Sequence, residues 1–147
     1  MKNTWVVVAH RAGARIFEHA GPAMGLTLVE EIAHEEGRKK GSELDSDRAG
    51  MTFSRKGPGR HPMGAEDASH DRLATSFAKE LGNRLATGRN ARRFEHIVLV
   101  AEPRFLGMLR DALDAQTTAL VAASIGKDLA HVAQRDLPAH LESVLRY

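Results

Sequence analysis

The chain has 147 residues, of which 42% are hydrophobic and 27% charged, with a formal net charge of +2. That is enough chain to bury a core without staples, and it reads as one globular domain over residues 1–147. There is no cysteine, which excludes disulfides, thiolate metal sites and cysteine nucleophiles together.

The N-terminus is apolar only over Trp5-Val6-Val7-Val8-Ala9 before His10 and Arg11. Five residues are too few for a signal-peptide core or a membrane span, so the sequence predicts a cytoplasmic protein with no membrane partner. Thr4 to Ala9 is rich in β-branched residues and predicts a buried strand. Ala14 to His19 predicts a second strand, paired to the first as a hairpin. Gly21-Pro22 marks a turn, and Leu26 to Ile32 predicts a third strand that completes a meander.

Glu35 to Ala65 carries no helix or strand periodicity and is longer than most connections in compact domains. From Arg48 to Gly64 it holds Arg48, Arg55, Lys56 and Arg60, four glycines, two prolines and no acid. Such a segment cannot bury a core face, but it can present cations and bare backbone to a polyanion. Asp71 to Thr87 predicts a helix, with Leu73, Phe77, Leu81 and Leu85 on one face and Gly88 at its end. Ile97 to Ala101 predicts a strand covered on both faces. Pro103 then opens a helix with Phe105, Leu106, Leu109 and Leu113 inward. Ala119 to Ile125 predicts a strand and Pro138 to Arg146 a closing helix. The order implies an α/β fold: a single mixed sheet with helices packed on its faces.

No catalytic set announces itself, and no cofactor motif is present. Gly57-Pro58-Gly59-Arg60 lacks the Gly-Lys-Ser/Thr ending of a phosphate loop. His61 and His70, with Glu66, Asp67 and Asp71 nearby, have metal-ligand chemistry, but their spacing matches no known ligand pattern. Arg84, Arg89, Arg92 and Arg93 form a second basic cluster after the long helix. Helix-dipole stabilisation explains Arg84 and Arg89 and leaves Arg92 and Arg93 as phosphate-contact candidates. Asp128 and His131 are an acid–base candidate pair, yet no nucleophile-elbow pattern surrounds Ser124.

Several stretches together resemble the bacterial host-attachment proteins. They are Trp5 to Ala9 with Ala14-Arg15-Ile16-Phe17, Phe77-Ala78-Lys79-Glu80-Leu81, Val98 to Gly107, Lys127-Asp128-Leu129-Ala130-His131, and His140-Leu141. The family usually shows an acid where this chain has His10, so a role resting on that acid does not carry over. The family in turn is similar to the middle domain of archaeal and eukaryotic class I release factors. The resemblance implies that fold and a loop that meets RNA or the ribosome. Release chemistry is not implied, because Gly-Gly-Gln is absent and the only glutamines are Gln116 and Gln134.

The expected function is therefore a non-catalytic binding module that contacts RNA or the ribosome through Arg48, Arg55, Lys56 and Arg60, with Arg92 and Arg93 as further contacts. Two alternatives stand beside it. One is a regulatory factor of host attachment that binds a protein partner and no nucleic acid. The other is a small hydrolase built on Asp128 and His131.

Overall fold

The computed structural model describes residues 3–21, 25–34 and 60–145, with the side chains of its long helix described from residue 70 onward. Five strands make one mixed sheet: β1 (Thr4–His10), β2 (Gly13–His19), β3 (Thr27–Ala33), β4 (His96–Val100) and β5 (Val121–Ile125). Their order across the sheet is β3-β2-β1-β4-β5. β1 and β2 form a tight hairpin, from Thr4 opposite His19 to His10 opposite Gly13. β2 and β3 are antiparallel, while β4 lies parallel to both β1 and β5. The mixed sheet expected from the sequence is present.

The unbroken apolar run of β1 reflects its place near the middle of the sheet, with both faces covered. Trp5, Val7 and Ala9 face one core, formed with the long helix α1 (Arg60–Asn90) and α2 (Pro103–Ala112). Val6 and Val8 face a second core, closed by Leu129, Leu137 and Leu141 of the C-terminal segment. α1 runs antiparallel to β1 and β4. Asp71 near its start pairs with Arg104 just after β4, and Gly88 near its end packs on Trp5 at the start of β1.

The structure departs from the sequence expectation in four places. α1 begins at Arg60, so residues 60–65 are helical rather than loop. Pro62 falls in the first turn, where its missing N–H costs nothing, and Ala65, Glu66 and Ala68 then propagate the helix. Second, Gly88 does not end α1, which continues to Asn90. A methyl group at residue 88 would stand 2.9 Å from the Trp5 ring and 3.1 Å from Phe94, so this glycine serves close packing. Third, the residues before β5 include the short helix α3 (Ala115–Thr118), capped by Asp114. Fourth, the closing segment is a 3-10 turn (Gln134–Asp136) and a single helical turn, α4 (Leu137–His140), rather than a helix to Arg146. Leu137 and Leu141 are nevertheless buried, as their apolar character requires.

Two glycines should respond oppositely to substitution. A Cβ at Gly82 would meet the Ala112 carbonyl oxygen at 2.8 Å, where backbone cannot yield. Gly82→Val should therefore cost ~1–3 kcal/mol by forcing α1 off α2. Gly107 lies in α2 with nothing near its missing Cβ. Gly107→Ala should add ~0.5–1 kcal/mol through helix propensity. Urea denaturation of the two variants should bracket the wild type.

Candidate functional site

The chain leaves β1 toward β2 on one side and leaves β4 toward β5 on the other. In open α/β sheets, ligands bind beyond the carboxyl ends of the strands at such a switch of direction. At this edge the β1–β2 turn and the loop after β5 face each other across a cleft of about 790 Å³. His10, Arg15, Glu31 and His131 line it, with Ala and Val side chains between them.

Each polar group is held by the backbone around it. His10 ends β1, and its Nδ1 accepts a hydrogen bond from the Ala12 N–H at 3.3 Å. That leaves the neutral ring with its proton on Nε2. Nε2 lies over Gly13, where a Cβ would come within 3.3 Å of it and within 3.0 Å of the Ile32 carbonyl. The bare glycine thus lets the hairpin turn and the imidazole occupy the same space. Arg15 stands on β2, opposite Val8 of β1 and Glu31 of β3. Its guanidinium donates to the carbonyls of Leu129 and Ala130, each at 3.1 Å, which ties the loop after β5 to the sheet. It also lies 5.4 Å from the centre of the Phe17 ring. Asp128 accepts from the Ala130 N–H at 3.1 Å, closing the turn that presents His131. The His131 and His10 rings then come close, with centroids 6.5 Å apart and planes inclined at 33°.

The Asp128–His131 pair of the sequence reading is therefore placed as a turn and the residue it presents. The side chain that meets His131 is His10. Sequence reasoning noted His10 as a departure from the family pattern but had no means of pairing it across the fold. Arg15 likewise gave no signal beyond lying in a matching stretch.

Arg48, Arg55 and Lys56 lie outside the described residues. Arg60 is the first residue of α1, and its side chain and that of His61 also lie outside them. His70 is half-buried on α1. Among the described residues, no three His, Asp or Glu side chains are grouped to hold a metal ion.

The second basic cluster stands at the opposite end of α1, a 31-residue helix spanning about 46 Å. Its cations are mostly engaged. Arg84 pairs with Glu30 and Glu80. Arg89 bonds Thr117 Oγ1 at 3.1 Å and Asp114 at 3.3 Å. Hydrogen bonds from Thr117, side chain first and then backbone, hold the Asp114 carboxyl below its ordinary range, and Arg89 adds to this. Arg93 stacks over Trp5 at 5.1 Å.

Arg92 is different. It has φ 57, in the left-handed region. Its N–H reaches the Arg89 carbonyl and the Arg93 N–H reaches that of Gly88, both at 2.9 Å, which is a Schellman cap with arginine where glycine is favoured. Arg92→Gly should raise stability by ~1 kcal/mol. If Arg92 meets phosphate, RNA affinity should fall in that same variant. Melting curves and RNA titration separate the two effects.

No helix among the described residues is long and apolar enough to cross a membrane. The family model described as "Protein required for attachment to host cells" matches residues 5–141. No curated protein matches the chain.

Proposed function

The chain belongs to the family of proteins required for attachment to host cells, and within that family we propose that it acts as a non-catalytic binding module contacting RNA, free or in the ribosome, through the basic segment from Arg48 to Arg60. The observation that carries this reading is where that segment joins the fold. The chain leaves the described fold after His34, 14 positions before Arg48, and the His34 N–H bonds the Ala12 carbonyl in the β1–β2 turn. It returns at the start of α1, about 16 Å along the helix from Asp71. His34 and Asp71 both lie at the carboxyl edge of the parallel strands, the edge that also carries Arg15 and Arg104.

Four cations and no acid between Arg48 and Gly64 suit a contact to phosphates, which positions a protein without reading sequence. The resemblance to the release-factor middle domain supports the same partner. A cytoplasmic setting follows from this reading, and the link to host attachment is then indirect.

The test is the RNA affinity of the native protein against salt, with sedimentation of the protein alongside ribosomes at low and moderate salt. Four phosphate contacts on single-stranded RNA give a log–log slope of about −3. Absence of affinity at low salt would remove the RNA reading and leave the protein-partner reading in its place.

A further inference from the structure

We propose that the outward face of α1 is a track for the sugar–phosphate backbone of single-stranded RNA, formed by Arg72, Thr75, Ser76, Lys79, Asn83 and Asn90. The proposal rests on the RNA reading above and extends it from the basic segment to the body of the fold.

The face is set by the core on the other side of the helix, where Ala74, Phe77, Ala78, Leu81 and Leu85 are buried. The six outward residues are all exposed, and they recur at intervals of three, four and seven positions. That spacing places them on one line, about 27 Å long from Arg72 to Asn90. The line carries no acid. Asp71 and Glu80, the carboxylates among the described side chains of α1, are turned to other partners. Asp71 pairs with Arg104 of α2, and Glu80 with Arg84 and His34. Among the described residues Arg72 and Lys79 make no ion pair, so their charge is uncancelled.

A helix face built only for solvation mixes signs, gains from Glu–Lys pairs four apart, and favours Ala, Glu, Lys and Gln. Here Thr75, Ser76, Asn83 and Asn90 stand where those residues would make the better helix. Hydroxyls and amides are the neutral groups that join Arg and Lys on nucleic-acid phosphates, and such contacts position RNA without reading its sequence. The Thr75 hydroxyl makes only a long contact to Met108 Sδ, at 4.0 Å. The side chains of Ser76, Asn83 and Asn90 make no hydrogen bond among the described residues. Arg72, Thr75, Ser76 and Lys79 also line a shallow hollow of about 440 Å³, with room for a phosphate between the two cations. Arg60 opens the same helix, and exposed Arg92 follows two residues after Asn90. A strand of RNA on this face therefore runs from one basic cluster to the other.

The test titrates the full-length protein with oligouridylate against salt. Ser76→Glu combined with Asn83→Glu sets two carboxylates on the line. This pair should weaken RNA about tenfold at low salt, because each carboxylate repels a phosphate a few ångströms away. Its melting temperature should hold or rise, since glutamate suits a helix better than serine or asparagine. Ser143→Glu, on an exposed part of the C-terminal segment, should bind as the wild type does. Arg72→Ala combined with Lys79→Ala should flatten the log–log salt slope by ~1.4, at ~0.7 per phosphate contact.

A glutamate pair that binds RNA like the wild type across the salt range overturns the track and leaves the RNA reading to the basic segment. Loss of RNA in the glutamate pair, with none on replacing Arg55, Lys56 and Arg60, keeps the track and sinks the segment reading. A comparable loss in Ser143→Glu reduces the effect to net charge and overturns the track. Polyglutamate bound as tightly as RNA assigns the face to an acidic protein partner and overturns the RNA assignment. A wild type with no RNA affinity at low salt removes the track together with the RNA reading.

Discussion

Phe77→Ala should cost ~3–5 kcal/mol of folding stability. The ring is fully buried, midway along the described part of α1. It stacks on His34 at 5.1 Å and on Phe105 at 6.0 Å, joining the end of β3 to α2 through α1. Its removal leaves a cavity between three elements whose backbones cannot all close in, so the lost transfer energy and the cavity term add. The stacked rings add a further fraction that simple burial misses. A domain of this size is stable by ~5–15 kcal/mol in total, so the variant should melt far below the wild type. Urea denaturation should show a lower midpoint with the same slope. Leu73 is a useful contrast. It shares the predicted face but is only half-buried, so Leu73→Ala should cost clearly less. A loss under ~1 kcal/mol at Phe77 would mean the helix does not bury that face.

The elements legible in the sequence are those whose periodicity is set by burial. β1 and β4 are covered on both faces, so their side chains are apolar without alternation. The Phe77, Leu81 and Leu85 stripe is apolar because it is buried against the sheet. The start of α1 was hidden because Gly57, Pro58, Gly59 and Pro62 signal a loop locally, while a proline in a first turn is neutral. Gly88 was misread for a related reason. Glycine ends helices and also permits close approach, and only the position of Trp5 tells which applies. Arg92 took the left-handed position that glycine usually fills. The cleft was the least legible feature. His10 and His131 are 121 positions apart, and their meeting depends on Arg15 drawing the 129–131 loop onto β2. Asp128 could be named from sequence, but its role in shaping the turn beneath His131 could not.

Replacing Arg55, Lys56 and Arg60 together by Ala should flatten the log–log salt dependence of RNA binding by about two units, at ~0.7 per phosphate contact on single strands. The effect should be similar for unrelated RNA sequences, because phosphate contacts position a protein without reading bases. Most of the lost affinity should appear at low salt, where counterion release contributes most. Thermal stability should hardly change, since a segment without apolar periodicity gives the core nothing to lose. The measurement is a salt titration of RNA affinity for wild type and triple variant, with melting curves alongside. A variant with an unchanged salt slope would show that Arg55, Lys56 and Arg60 do not meet phosphate. A variant that unfolds would show instead that these side chains support the fold, and the account of them as a presented contact surface would fail.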